Sequence, residues 1–127
     1  FGPPGTAYVY FIYGMHWCLN AVTREDGYGA AVLIRGIEPM EGLPRMRARR
    51  PKARSDRVLC DGPGKLTAAL GVDRRCDGWS LTGGSALSLV QGDAVPDAEV
   101  LVTPRIGISK AVDWPLRFVW RAHSRAV

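Results

Sequence analysis

Cysteine and histidine are scarce in this sequence, and long apolar runs are absent. The three cysteines, Cys18, Cys60 and Cys76, form no CxxC pair and have no histidine at zinc-ligand spacing, so a metal site has little support. An odd number of cysteines argues against a disulfide framework, which favours a reducing compartment. No apolar stretch approaches the ~20 residues that a membrane-spanning helix needs. We therefore expect an intracellular protein with no bound metal and no contact with a membrane.

Common catalytic motifs are also missing. Neither His16 nor His123 stands near a serine or cysteine in a known nucleophile setting, so a hydrolase triad has no support. Residues 62–65 read GPGK, but the complete GxxxxGK[ST] spacing is absent, which argues against ATP binding. What remains is a glycine-rich turn that opens a helix, with Lys65 as a modest phosphate site. We expect no cofactor.

The chain has the size and composition of one globular domain. With 127 residues, 46% of them hydrophobic and 23% charged, it can bury a single core, whereas two independent cores would each be small. We therefore predict one domain over residues 1–127.

Positive charge is concentrated in one segment. Between Arg45 and Arg57 the sequence RMRARRPKARSDR holds six arginines and one lysine against one aspartate, within a chain of net charge +5. Such density creates a local positive potential that attracts an anionic partner. We predict phosphate contacts for Arg47, Arg49 and Arg50, and the alternative is a solvated loop with no partner.

Residue patterns predict a mixed α/β fold of the α+β type, with a curved, mainly antiparallel sheet and a few helices. A helix is expected in EGLPRMRARR, and a second in DGPGKLTAALG with Asp61 as its cap and Gly71 as its end. The predicted strands cover Ala7 to Ile12, Trp17 to Val22, Ala30 to Ile37, Ala86 to Val90, Glu99 to Val102 and Leu116 to Trp120.

The first predicted strand is apolar on both faces. Side chains alternate along a strand, which places Tyr10 on one face and Val9 and Phe11 on the other. Such a strand is either buried on both sides or has one face that lines a pocket. We expect Val9, Phe11 and Trp17 in the core.

A tight connection follows this strand at YGMH. Gly14 permits the backbone torsions of a hairpin, which puts Tyr13 at or beside the tip. Hairpin tips protrude into water, so a large aromatic there is poorly placed for the core and well placed to stack on a nucleobase. The alternative is that Tyr13 folds back onto a neighbouring strand.

Two polar residues interrupt apolar strands. Asn20 can read the hydrogen-bonding edge of a ligand, or it can cap a turn. Arg35 requires solvent, a carboxylate or a phosphate, and Glu38 and Glu41 are nearby candidates.

Four blocks of this sequence resemble, in the same order, the alkyladenine (3-methyladenine) DNA glycosylase family: PGTAYVYFIYGMHWCLN, AVLIRGIEPMEGL, LCDGPGKLTAALG and TPRIGISKAVDWPLRF. The resemblance covers most of the chain. It implies a mixed α/β fold around a curved antiparallel sheet. The implied activity is removal of alkylated purines from DNA by base flipping and cleavage of the N-glycosidic bond.

The resemblance also implies roles for particular residues. Tyr13 matches the tyrosine that fills the gap left by the flipped nucleotide, and Tyr10 matches a tyrosine that stacks on the flipped base. Asn20 matches an asparagine that disfavours the exocyclic amine of guanine. Arg35 matches an arginine that supports the active site, and Lys65 matches a phosphate contact. The expected partner is double-stranded DNA with an alkylated or deaminated purine, bound by a monomer in the cytoplasm, or with the nucleoid if bacterial.

One element of the family is not matched. Its catalytic glutamate lies upstream of the first block in an E-A-Y type motif, and no glutamate of this chain stands in such a motif. We therefore interpret the sequence as the C-terminal part of a longer glycosylase domain and expect it to be inactive alone. The alternatives are a non-catalytic DNA-binding module that retains the hairpin, and a basic RNA-binding or protein-interaction domain.

Overall fold

The computed structural model describes residues 2–25, 29–104 and 116–121. The chain divides into two compact units, residues 1–90 and residues 91–127. Most of the fourth family block, residues 105–115, lies outside the described residues. The mixed α/β class with antiparallel strand pairing is confirmed.

The first unit contains a three-stranded antiparallel sheet in the order β1-β2-β3. Strand β1 spans Ala7–Ile12, β2 spans His16–Val22 and β3 spans Ala31–Leu33. The third strand is shorter than predicted, because the chain leaves the sheet after Ile34 and the Ile37 N–H donates to the Cys60 carbonyl instead. The alternating pattern could not show where this new partner takes over.

Two α-helices belong to the same unit, α1 over Leu43–Arg49 and α2 over Pro63–Leu70. Both have a proline in the first turn, where its missing N–H costs nothing. Helix α2 ends at Gly71, whose φ of 71° lets its N–H return to the last carbonyls. The prediction that Asp61 caps α2 is wrong: Gly62 is the N-cap, and the Asp61 carboxylate pairs with Lys65.

The core lies between α2 and one face of the sheet. The largest fully buried side chains are Leu59, Cys60, Leu66 and Thr67. The Thr67 hydroxyl donates to the Trp17 carbonyl at 2.9 Å, which connects α2 to β2. Complete burial of a leucine such as Leu66 contributes about 1.5–3 kcal/mol. The packing of α2 against the sheet is therefore a main source of stability.

The outer edge of β1 is covered over only part of its length. The Ala7 N–H donates to the Trp79 carbonyl, and the Val9 N–H donates to the Asp77 carboxylate at 2.9 Å. Val9 is buried and Trp17 packs against the core, as expected. Phe11 is 47% exposed, so its predicted core position is wrong, because it lies beyond the last residue that covers this edge.

The second unit contains strand β4, Val100–Thr103, paired antiparallel with β5, Arg117–Trp120. These two strands lie within one residue of their predicted bounds. The strand predicted over residues 86–90 is wrong. In this segment the Ser85 hydroxyl lies 2.7 and 2.6 Å from the carbonyls of Ser80 and Leu87, a local bonding pattern that replaces a strand ladder.

Candidate functional site

The tip of the β1–β2 hairpin presents Tyr13 to solvent. Tyr13 and Gly14 have φ values of 56° and 65°, the sign that a type I′ turn requires, and the Met15 N–H donates to the Ile12 carbonyl at 3.0 Å. Tyr13 is the only non-glycine residue with positive φ in the part of the chain that the structure describes. The exposed fractions are 74% for Tyr13 and 76% for Met15, so neither side chain joins the core.

Stacked side chains support the hairpin below its tip. Phe11 and Trp17 are opposite each other on the two strands, with ring centroids 4.9 Å apart at 55°. The Arg74 guanidinium lies 5.8 Å from the centre of the Trp17 ring, within the range of a cation–π contact. The tip therefore extends from a stem whose side chains are packed.

Helix α2 contacts the hairpin through its first turn. A Cβ atom at Gly64 would lie only 2.5 Å from Cγ of His16, so only glycine allows this approach of helix and strand. Gly64, the second glycine of GPGK, thus has a packing role that the similarity of this segment to a phosphate loop did not reveal.

The sheet face opposite the core carries two tyrosines. We call Tyr8, Tyr10, Cys18 and Asn20 the tyrosine face, since Tyr8 pairs with Asn20 and Tyr10 pairs with Cys18 across the strands. The two tyrosine rings are 5.3 Å apart at 38°. Asn20 is only 6% exposed, and its Nδ2 donates to the Tyr8 carbonyl at 3.2 Å. The predicted pocket residues Tyr10 and Asn20 therefore lie on the same face of the sheet.

Hydrogen bonds and charge connect this face further. Burial raises the pKa of the Tyr10 phenol above 10.0, the Cys18 hydrogen bond adds to the rise, and the Asn20 hydrogen bond opposes it. Tyr10 is therefore coupled to both Cys18 and Asn20 across the strand pair. Burial also raises the pKa of the Cys18 thiol, while Tyr10 and the positive charge of Arg35 oppose that rise. Arg35 therefore lies close enough to act on this face.

The predicted phosphate-binding residues all have partners within the protein. Lys65 forms an ion pair with Asp61 at 2.9 Å and remains 50% exposed. The Arg47 Nε donates to the Asp56 carboxylate at 2.9 Å, and Arg49 donates to the Ala69 carbonyl at 2.9 Å. These bonds occupy donors that a phosphate would otherwise use, although each guanidinium has five N–H groups.

Arg50 contacts two backbone carbonyls. Its Nη1 lies 2.6 Å from the Val58 carbonyl and 2.9 Å from the Leu59 carbonyl. The structure thus places Tyr10 and Asn20 on one sheet face, with Arg35 near Cys18 of that face, and places Arg47, Arg49 and Arg50 in α1 and at its C-terminal end. Sequence reasoning missed Cys18, although its position two residues before Asn20 puts it on the same strand face.

A cavity of about 270 Å³ lies outside these groups, at the end of α2. Its lining is mainly apolar and includes Leu70, Val72, Trp79 and Leu87. None of the predicted site residues borders it.

The described residues contain no group of three or more histidine, cysteine or acidic side chains arranged to hold a metal ion. All three cysteines are free and buried. In the described ranges, no helix is long and apolar enough to cross a membrane.

Comparison with known proteins shows the family. The sequence model of the methylpurine-DNA glycosylase family matches residues 1–124. A protein of Burkholderia lata named a 3-methyladenine DNA glycosylase is 50% identical over 119 residues, which cover 93% of this chain and 58% of that protein. Proteins of the same name from Carboxydothermus hydrogenoformans and Rubrobacter xylanophilus are each 48% identical, and the match covers 61% and 60% of their lengths.

The chain thus spans about three fifths of the length of the curated relatives that it matches. The match to the family model, residues 1–124, includes the exposed hairpin tip and the tyrosine face. The chain therefore belongs to the methylpurine-DNA glycosylase family of DNA repair hydrolases.

Proposed function

We propose that the protein to which this chain belongs flips an alkylated or deaminated purine out of duplex DNA and hydrolyses its N-glycosidic bond. One observation carries the proposal: a tyrosine that is 74% exposed at the tip of a supported hairpin. A flipped nucleotide leaves a gap in the base stack. A protruding aromatic ring can fill that gap and recover stacking energy.

The tyrosine face is the proposed wall of the base pocket. The ring of Tyr10 would stack on the flipped purine, and Arg35 would supply positive charge near the backbone phosphate. Asn20 would exclude guanine by its volume, because its Nδ2 already donates to the Tyr8 carbonyl and the side chain is buried. Its carbonyl oxygen could accept a bond from the guanine amine, so exclusion must come from an amide that cannot move aside.

A smaller residue at this position tests the proposal. Asn20→Ser in the full-length protein should raise guanine release relative to hypoxanthine release, measured on matched duplexes. Asn20→Gln is the matched control, because it keeps the amide and adds volume. If Asn20→Ser left the ratio of guanine release to hypoxanthine release unchanged, the proposed role of Asn20 in the base pocket would be wrong.

The hydrolytic step needs a general base to activate water. The resemblance places that glutamate in a motif that the 127 residues do not contain. We therefore propose that these residues alone bind DNA without turnover, whereas the full-length protein cleaves. Release of hypoxanthine or 3-methyladenine by the purified 127-residue chain would contradict this part of the proposal.

Tyr13→Ala in the full-length protein is the test of base flipping. Loss of about 1–3 kcal/mol of stacking should lower the flipped population by roughly 5-fold to 100-fold. Fluorescence of a base analogue that brightens on unstacking would measure that population. Met40→Ala is the control, because Met40 is another large exposed apolar residue, at 80% exposure, outside the hairpin.

Two outcomes would contradict the proposed function. Normal flipping together with a collapsed melting temperature would make Tyr13 a structural residue. Tight lesion binding without base release by the full-length protein would favour the non-catalytic module. Phosphate contacts by Lys65, Arg47, Arg49 and Arg50, the monomeric state and the intracellular location remain predictions.

A further inference from the structure

The basic segment, residues 45–57, contains two different kinds of cation. The first kind is structural and consists of Arg47, Arg49 and Arg50. Arg47 joins the end of α1 to Asp56 and to the Ala53 carbonyl at 3.0 Å, and Arg50 holds the Val58 and Leu59 carbonyls. Arg49 donates to a carbonyl in the last turn of α2. Together these bonds connect the segment to α2 and to residues 53–59.

The second kind is exposed and consists of Arg45, Lys52, Arg54 and Arg57. In the described part of the chain, no hydrogen bond or ion pair engages these four side chains, unlike the three structural arginines. The only carboxylate in the segment, Asp56, is taken by Arg47. The segment therefore holds four available cations on a backbone that the structural arginines keep in place.

We propose that Arg45, Lys52, Arg54 and Arg57 form a binding surface for the phosphate backbone of a nucleic acid duplex. This inference rests on the proposed function only for its partner, DNA, and it does not depend on flipping or hydrolysis. It assigns the phosphate contacts to these four residues and not to Arg47, Arg49 and Arg50, which the density of charge in the sequence had indicated.

Charge and packing favour a duplex over an anionic membrane surface. Three of the four cations are arginines, whose planar fork of donors matches two phosphate oxygens at once. A helix that lies on a membrane needs an apolar face toward the lipid. In α1 the apolar side chains Leu43 and Met46 pack against the core, so they cannot enter a bilayer.

The distance to the hairpin fits one continuous duplex. Gly64 contacts His16 at the start of α2, and Arg49 reaches Ala69 in its last turn. An eight-residue helix is about 12 Å long at 1.5 Å per residue. Base pairs rise by 3.4 Å, so this length equals roughly 3–4 base pairs, and a short duplex is long enough to reach both the hairpin and the basic segment.

The test compares two charge-removal variants of the full-length protein that differ in which cations they lose. One variant changes Arg45, Lys52, Arg54 and Arg57 to Gln, and the other changes Arg47, Arg49 and Arg50 to Gln. Binding of an undamaged duplex is measured by fluorescence anisotropy over a salt series, with melting temperatures recorded alongside.

The four-residue variant should keep its melting temperature and flatten the plot of log K against log salt by up to about 0.9 per lost phosphate contact. The three-residue variant should lose thermal stability and, at a temperature where it is folded, keep the parental slope. An unchanged slope in the four-residue variant, or an equal flattening in both variants, would overturn the proposal.

Two further measurements separate the possible causes of failure. If the four-residue variant loses binding to vesicles of phosphatidylserine while its duplex slope is unchanged, the partner is a membrane and the proposal is wrong. The base-analogue fluorescence of Tyr13→Ala reports on flipping independently. A flattened salt slope in the four-residue variant, together with normal flipping in Tyr13→Ala, would therefore support this surface. The same pair of results would reject the proposal that Tyr13 fills the gap left by the flipped nucleotide.

Discussion

The base of the β1–β2 hairpin and its tip are built from the same two strands and are equally rich in apolar residues. At the base, Val9 and Leu19 are 4% and 6% exposed, because α2 covers one face and residues 77–79 cover the edge. At the tip, Phe11, Tyr13 and Met15 are 47%, 74% and 76% exposed. Apolar composition alone does not decide burial, because a side chain is buried only as far as a neighbouring element extends.

The two regions also differ in backbone conformation. The base is regular antiparallel sheet, whereas Tyr13 has a positive φ that costs a non-glycine residue about 1–2 kcal/mol. Burial at the base must offset that cost. The comparison therefore predicts that changes at the base affect stability and changes at the tip affect binding.

The largest expected effect is on stability, from truncation of the core beneath the sheet. Leu66→Ala removes a fully buried side chain and should lower the free energy of unfolding by about 2–5 kcal/mol. Met15→Ala at the tip should change it by no more than about 0.5 kcal/mol. Urea titrations followed by circular dichroism measure both, and similar losses in the two variants would break the comparison.

The next effect concerns the contact between α2 and β2. In a helix, alanine is usually more stable than glycine by about 1 kcal/mol. Gly64→Ala should nevertheless destabilise the protein by about 1–3 kcal/mol, because the Cβ of the new alanine would overlap His16. The cost should shrink but not vanish in a His16→Ala background, since Cβ of residue 16 would still lie 2.8 Å away. A stabilising Gly64→Ala would show that helix and strand are further apart.

A smaller effect separates strain from binding at the tip. Tyr13→Gly should be more stable than Tyr13→Ala by about 1 kcal/mol, because glycine adopts the positive φ without strain. Both variants should lose flipping equally, since neither has a ring. Thermal melts and base-analogue fluorescence of the pair measure the two properties, and equal stability would mean that the turn relaxes when the ring is removed.

The smallest expected effect is the pH dependence of stability that comes from the tyrosine face. It is absent at neutral pH and begins only at alkaline pH. Burial raises the folded-state pKa of Tyr10 and Cys18 above their ordinary values of 10.0 and 9.0. The unfolded chain therefore releases these protons first, so stability is fully present below about pH 9 and falls as pH rises through the folded values. Urea titrations between pH 7 and 10.5 should show the decline.

Cys18→Val provides the control for the alkaline decline. Removal of this thiol should reduce the dependence that begins near pH 9 without abolishing it, because burial also raises the pKa of the Cys60 thiol above 9.0. Stability that increases between pH 9 and 10.5 would contradict the burial of this face.

Local features of the structure could be predicted from sequence. Alternation of apolar residues indicated β1 and β2, and Tyr-Gly marked their turn. Gly71 marked the end of α2, where its positive φ is realised. Phe11 could not be placed, because its burial depends on how far residues 77–79 reach along β1, and no local pattern encodes that reach.

The partners of the arginines show the same limit at longer range. Their density was evident in the sequence, but Arg49 finds its acceptor 20 residues away, at Ala69. Val9 finds Asp77 across 68 residues. Such pairs form only after helix and sheet have packed, so sequence density could not separate structural arginines from available ones.

The sequence by itself determined the hairpin, the two helices, the excess of positive charge and the resemblance to a glycosylase, because periodicity, turn residues and motifs are properties of neighbouring positions. Tertiary structure alone decided that Tyr13 is exposed while Asn20 is held, that Gly64 is required by His16, and that the basic segment divides into structural and available cations. The physical reason is that burial and hydrogen-bond partners depend on which distant atoms fill the surrounding space, and that is fixed only when the elements pack together.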